Sequence, residues 1–365
     1  MPASYFANPL GRFGVCGSGC CGPSLPTSCE DTSRPICYVD KYATGAGDGT
    51  SWTDAYTTIS AAIAERRTTH RIYIKGYGKS DTYTETLSFG DSATLVGVSD
   101  AWVTGSITGG SSCCYYRINT TGSSGSFTTG GHNSKYVLCT VDSSYLHGFS
   151  AGVATNILSF CVAEGTSVGI IGGTCLDCSV ANVLSVGFQA SQCYRCFAYD
   201  IHSTNNDLVG FYGCYVEDCV ASNISTSGYN KSVHGFDRPT GGLRCTAEYL
   251  TGYLHAFGFY RLNSITGTVT LEDCVSRHIQ NTLTSSTTTS VRGFHGSGLV
   301  LIGCTASYIT APYTGQADGF YAYSATDCVA DNINGAEYSS GFFLVTIKTN
   351  CSCTNPQPAN GCFAP

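Results

Sequence analysis

Cys196-Phe197-Ala198-Tyr199-Asp200-Ile201, followed by Gly210-Phe211, decides how this chain is read, because its spacing returns again and again. The signature is Cys, a small residue two on, Asn, Asp, Tyr or His four on, an aliphatic five on, then Gly-Phe. It recurs as Cys219, Ala221, Asn223 and Ile224 with Gly235-Phe236, and as Cys245, Ala247, Tyr249 and Leu250 with Gly258-Phe259. Cys274, Ser276, His278 and Ile279 with Gly293-Phe294 follow, then Cys304, Ala306, Tyr308 and Ile309 with Gly319-Phe320. Cys328, Ala330, Asn332 and Ile333 with Gly341-Phe342 close the series, and Cys178, Val180, Asn182 and Val183 with Gly187-Phe188 are a shorter copy. Cys139 and Cys161 begin earlier, degenerate copies.

The Cys-to-Cys steps from Cys178 are 18, 23, 26, 29, 30 and 24 residues, a period that suits one solenoid coil per copy. Cys and the small residue two later share a strand face. The polar residue four on marks a bend, and the aliphatic after it returns inward. Stacked in register, each position becomes a ladder, and each coil buries its inner face only through its neighbours. The expected fold is all-β, a parallel β-helix with a core ladder of Cys178, Cys196, Cys219, Cys245, Cys274, Cys304 and Cys328. Apart from a longer gap before Cys274, length variation falls between the aliphatic and the Gly, from three intervening residues after Val183 to thirteen after Ile279. Insertions therefore project from one edge, and in solenoids the loop-bearing face is often the contact face.

The flanks differ. Residues 1–36 form a Gly/Pro/Ser-rich anchoring arm with Cys16, Cys20, Cys21 and Cys29 and no periodicity. Residues 37–90 read as an N-terminal cap and first strands. Cys37-Tyr38-Val39-Asp40 is a strand, and Thr53 caps a helix through Tyr56, Ile59, Ala62 and Ile63. Ile72-Tyr73-Ile74 is a second strand. Coils occupy 91–349, and 350–365 is a Cys-rich cap or tail with Cys351, Cys353 and Cys362.

Composition excludes several functions. Net charge is −7 with 18 Lys and Arg and no basic run, which argues against phosphate-backbone binding. No apolar stretch approaches the length of a membrane span. Met1 to Gly22 lacks a basic segment followed by an apolar core, so no secretory leader is read there. With 22 cysteines, two readings follow: reduced, buried thiols packing as small hydrophobes, or disulfides formed after release from a reducing cytosol. Candidates for inter-chain disulfides are Cys16, Cys20, Cys21, Cys29, Cys113, Cys114, Cys351, Cys353 and Cys362.

The stretch from Tyr38-Val39-Asp40 through Gly47-Asp48-Gly49-Thr50-Ser51-Trp52, Asp54-Ala55-Tyr56, the Ile59–Ile63 helix and Ile72-Tyr73-Ile74 resembles the N-terminal cap of right-handed parallel β-helix proteins. These include pectin-lyase-like enzymes, bacterial surface proteins and bacteriophage tailspikes. The resemblance spans about residues 37–345 and is specific for fold, not activity, since one scaffold serves lyases, hydrolases and inert fibres. With Met1, a Cys-rich arm and no leader, the chain looks most like a virion protein. The resemblance implies a homotrimer that is located on a phage particle, meets other virion proteins through its arm and touches host glycans. It implies no cofactor. The alternatives are a polysaccharide-degrading tailspike, hydrolase or lyase, and a bacterial surface adhesin.

Four constellations carry possible chemistry. Cys175, Cys178, Cys193 and Cys196 have zinc-ribbon spacing, but Cys178 and Cys196 already belong to the ladder. Cys175, Cys193 and Cys214 then form a second interior file, and a metal is the lesser reading. Glu217/Asp218 and Glu272/Asp273 are the carboxylate pairs for glycoside hydrolysis. Asp177, Asp218, Asp273 and Asp327 all precede a ladder Cys, however, and read more simply as a solvated stripe. His147 and His234 each open a His-Gly-Phe unit, with His255 and His295 near other copies, and a place beside the Phe ladder explains them. Arg244, Arg277 and Arg292 are scattered. The 24 Tyr, with Ser, Thr and Asn in loops, suit either sugar contact or subunit contact.

Overall fold

The computed structural model describes residues 33–354 apart from 67, 130, 143–145, 153–154, 263–266, 283–288, 313–314 and 337. Its strands pair in parallel, each with the strand one coil away, and the chain is a right-handed parallel β-helix. A coil has three faces. In one coil the first face is Gln192–Tyr194, the second Phe197–Ser203 and the third Leu208–Tyr212. In the next coil these pair in register with Tyr215–Glu217, Val220–Thr226 and Ser232–Asp237.

The cysteine ladder is longer than the repeat alone defines. Cys139, Cys161, Cys178, Cys196, Cys219, Cys245, Cys274, Cys304, Cys328 and Cys351 succeed one another, each carbonyl accepting the N–H of the residue after the next cysteine. Successive members lie about 4.8 Å apart, one strand spacing. Each occupies the corner between the first and second faces and is a free thiol. The thiols also brace the corner. Cys219 Sγ donates to the Glu217 carbonyl two residues back, 3.3 Å away, and Cys178, Cys245, Cys274 and Cys328 repeat the contact. A side chain at this corner must be small, apolar and able to donate weakly, which describes Cys. Burial first, then hydrogen bonding to Cys139 and Cys178, pushes the Cys161 thiol up.

The corner itself is made by the residue before each cysteine. Asp177, Arg195, Asp218, Arg244, Asp273 and Asp327 all hold φ between 51° and 54°, and Gly303 takes 61°. The second-face bend is built the same way by Asp200, Asn223, Tyr249, His278, Tyr308 and Asn332. Asn and Asp tolerate this left-handed region best, which explains their frequency four residues after Cys.

Gly-Phe has a packing origin. The phenyl rings of Phe188, Phe211, Phe236, Phe259, Phe294, Phe320 and Phe342 stack face to face, 4.5–5.1 Å between centroids. The glycines before the first six, Gly187 to Gly319, lie against the small-residue file of the second face. Val141, Ala163, Val180, Ala198, Ala221, Ala247, Ser276, Ala306 and Ala330 form that file. The aliphatics Ile201, Ile224, Leu250, Ile279, Ile309 and Ile333 complete the interior, each fully buried.

The ends depart from expectation in two places. The single helix among the described residues is Ile59–Arg66, starting six residues after Thr53. Its first amides are capped from a distance: Glu85 accepts from the Ile59 and Ser60 N–H groups at 2.9 and 2.8 Å, and Thr58 Oγ1 accepts from Ala61. The coil also runs past 349, because Ser352–Thr354 pairs with Val329–Gly335 and Cys351 extends the ladder. The variable connections lie between the second and third faces, along one edge, apart from 261–268, which joins a third face to the next first face.

Candidate functional site

The sequence-derived candidates disperse. Cys178 and Cys196 stand in the ladder. Cys175 and Cys193 pair in a second interior file that continues with Val216, so Cys214 is not its next member. Among the described residues no group of three His, Cys, Asp or Glu is arranged to hold a metal. Cys113 is free and faces the core. Cys114 and Cys353 are disulfide-bonded, and Cys351 is a free, half-buried thiol. Cys16, Cys20, Cys21, Cys29 and Cys362 lie outside the described residues.

The carboxylate pairs belong to a charge ladder on the outer corner. Arg195 grips Asp177 through two hydrogen bonds of 2.8 Å. Two coils on, Arg244 grips Asp218 at 2.7 and 2.9 Å and reaches Glu217 at 2.8 Å, holding the Asp218 carboxyl below its usual range. Asp273 comes next in the same file, beside Gly303, with Glu272 before it. Asp177, Arg195, Asp218, Arg244 and Asp273 thus alternate in charge along the stacked corner, as far as Gly303.

A different constellation assembles on the outer surface of the third face. Gly and Phe both turn inward there, which leaves the residues before and after them on the outward side of the strands, where Phe257, Asp237, Arg292 and Asp318 are nonetheless buried. Those before form a file of Val209, His234, Phe257, Arg292 and Asp318. Those after form a file of Tyr212, Asp237, Tyr260, His295 and Tyr321. His234 Nδ1 lies 3.5 Å from Asp237 Oδ2, and its ring packs 4.6 Å from Tyr260 and 5.3 Å from Phe257. Arg238 Nε is 3.7 Å from Asp237 Oδ1, and its Nη1 donates to the Tyr212 hydroxyl at 2.8 Å. Asp237 is 93% buried by residue (7% exposed), yet Asp237 Oδ1 and His234 Nδ1 make no hydrogen bond. An unpaired buried polar atom costs roughly 1–3 kcal/mol.

The next coils supply a shielded ion pair. Arg292 Nε donates to Asp318 Oδ2 at 2.7 Å, Nη2 to Gln316 at 3.0 Å, and Nη1 to His295 Nδ1. The guanidinium lies 5.2 Å over the Tyr321 ring. Burial, then the Arg292 charge, holds His295 down to about 3, matching an imidazole whose Nδ1 accepts. Burial pushes Asp318 up to about 6 against the pull of Arg292. Nearby, His255 Nδ1 accepts the Ser290 N–H at 3.0 Å, and burial lowers its pKa.

Of the four histidines singled out by sequence, His234, His255 and His295 meet through Phe257 and Tyr260. His147 lies four coils away in the same file. Arg292, which looks isolated in sequence, is at the heart of the cluster, while Arg244 and Arg277 serve other faces. Tyr212, Asp237, Arg238, Tyr260 and Asp318 were not anticipated. Their signal lay in reading the residues that flank each Gly-Phe as two stacked files.

Asp237 and Asp318 are three coils apart, about 14 Å along the axis. Glycosidase carboxylates stand at most about 9.5 Å apart, so this pair cannot flank one sugar bond. Around the corner, the insertion-bearing edge carries a shallow groove of 590 Å³ lined by Leu184, His202, Asn205, Ser225, Thr226 and Thr251, without a carboxylate or arginine.

No family model matches the chain, and no curated protein matches it. Two solved structures are similar. The mannuronan C-5 epimerase AlgE4 A-module of Azotobacter vinelandii aligns over 88% of this chain and 96% of its own, at 12% identity and a TM-score of 0.39. Pectate lyase Pel9A aligns over 73% of this chain and 77% of its own, at 15% identity and a TM-score of 0.31. Both are right-handed parallel β-helix proteins. Likenesses this loose carry no argument about chemistry.

Proposed function

We propose that this β-helix acts on an acidic polysaccharide at the outer surface of its third face. The carrying observation is the His234–Asp237 pair: buried polar atoms lacking hydrogen bonds, beside an arginine that is 41% exposed by side chain. Unsatisfied buried groups of this kind point to strain or to a catalytic role. In this reading Asp237 faces Nδ1 and orients the imidazole, leaving Nε2 as the base. Arg238 and the Tyr212 hydroxyl receive a sugar carboxylate, whose charge grows when the neighbouring carbon is deprotonated. His234 takes that proton. The electron pair then expels the oxygen on the adjacent carbon, which takes back the proton from the His234 imidazolium, giving one unsaturated and one new chain end. Elimination needs one base and one cation, whereas hydrolysis needs two close carboxylates, which this face lacks.

Incubating the full chain with a panel of polyuronates tests this. The expected result is rising ultraviolet absorbance from the new conjugated double bond on at least one of them. No absorbance change and no altered sugar signals by NMR across the panel would remove the reading.

A second reading is favoured by Cys114 and Cys353, disulfide-bonded near the two ends of the coil. In it the chain is an external structural element, a homotrimeric phage spike or fibre anchored through residues 1–36 to other virion proteins, with host glycans met along the insertion-bearing edge. The two roles are compatible. Non-reducing electrophoresis of the assembled particle tests the second: monomer bands alone would reject bridging between chains.

A further inference from the structure

We propose that the C-terminal end of the thiol ladder, Cys351 stacked on Cys328, is a thiol–disulfide exchange site that staples the last two coils when it meets a small external disulfide. The ladder thiols from Cys139 to Cys328 are fully buried and closed to any incoming reagent. Cys351 ends the file and is only half-buried, and both it and Cys328 are free. The Ser352 N–H donates to the Cys328 carbonyl at 3.0 Å, so the two cysteines sit in register on adjacent strands. Their Cα atoms are then about 4.8 Å apart, inside the window of roughly 4.4–6.8 Å that a disulfide spans. Cys351 Sγ is held toward the file by contacts with the Ala325 and Thr349 carbonyls at 3.3 and 3.4 Å. Two residues on, Cys353 is already disulfide-bonded, so this strand takes part in oxidative chemistry.

The reaction balances with oxidised glutathione as the oxidant. The Cys351 thiolate attacks one glutathione sulfur, forming a mixed disulfide and releasing one glutathione thiolate. Cys328 then gives up its proton, attacks Cys351 Sγ and displaces the second glutathione. Two protein thiols lose two electrons and two protons, and one glutathione disulfide becomes two thiols. The product ties Val329–Gly335 to Ser352–Thr354, the last two paired strands of this face among the described residues.

The test treats the native full chain with oxidised glutathione, quenches with acid, alkylates under denaturing conditions and maps the peptides. Trypsin cleaves after Lys348 and so separates Cys328 from Cys351. The expected product is a Cys328–Cys351 cross-link, with Cys178, Cys196, Cys219, Cys245, Cys274 and Cys304 all alkylated. Cys328→Ser should stop at a lasting Cys351–glutathione adduct, and Cys351→Ser should not react at either position. An unchanged Cys351, or a glutathione adduct that persists in the native chain as it does in Cys328→Ser, would overturn the proposal. Circular dichroism of each variant confirms that the coil is intact.

Discussion

Gly210 lies directly against Ala221. A Cβ built on Gly210 would stand 2.9 Å from the Ala221 Cβ and 2.6 Å from the Gly235 carbonyl oxygen of the next coil. Backbone cannot yield to that contact as a side-chain tip can. Gly210→Ala is therefore expected to destabilise the coil by roughly 1–3 kcal/mol, an overpacking cost. Urea unfolding checks it. A variant as stable as the parent would mean that the second and third faces are not packed this closely.

Removing His234 or Asp237 should silence the proposed reaction while leaving the fold intact. His234→Ala is expected to lower turnover of the responsive polyuronate by about 10²–10⁴-fold, the usual worth of a general base. Asp237→Asn, which keeps the shape and drops the charge, should also lower turnover. Activity retained in His234→Ala would move the chemistry elsewhere on the molecule.

Glu217 and Asp218 should behave oppositely. Arg244 holds both, on an exposed corner where ion pairs contribute about 0–1 kcal/mol. Glu217→Gln, Asp218→Asn and Arg244→Ala should each change stability by less than about 1 kcal/mol, less still in high salt. None should change turnover by more than about twofold. A large kinetic loss in Asp218→Asn would restore the carboxylate reading of this corner.

His295 should make the protein acid-sensitive. Its folded pKa is held to about 3, below the ordinary histidine value of about 6.5, by burial and then by Arg292. A depressed folded pKa contributes stability fully above pH ~6.5, and this is lost as pH falls toward 3. Asp318, raised to about 6, acts the other way: its contribution is present below pH ~4 and fades as pH rises through 6. Comparing His295→Gln with the parent isolates the histidine. Thermal midpoints between pH 7 and pH 4 should fall less in the variant, and equal slopes would contradict the burial of a neutral ring.

The coil was legible in the sequence because its constraints recur. Each Cys, Ala, Ile and Gly-Phe meets the same residue type one coil away, so spacing alone reveals the ladder. The candidate site was not legible, because it is built where the repeat places no constraint. Asp237 and Tyr260 hold equivalent positions in successive coils, 23 residues apart in sequence, and share no residue type. Arg292 and Asp318 are separated by 26 residues and meet only through sheet register. The helix start was missed for a related reason. Its cap comes from Glu85, a residue 26 positions downstream that no local pattern connects to Ile59.

Anomalous scattering from sulfur in crystals of the full chain would show whether the cysteines stack one coil over another. The account predicts one straight file of ten peaks, Cys139 through Cys351, each about 4.8 Å from the next, with Cys175 and Cys193 offset to one side. Sulfur peaks scattered through the molecule, or paired at bonding distance along the file in reduced crystals, would contradict it.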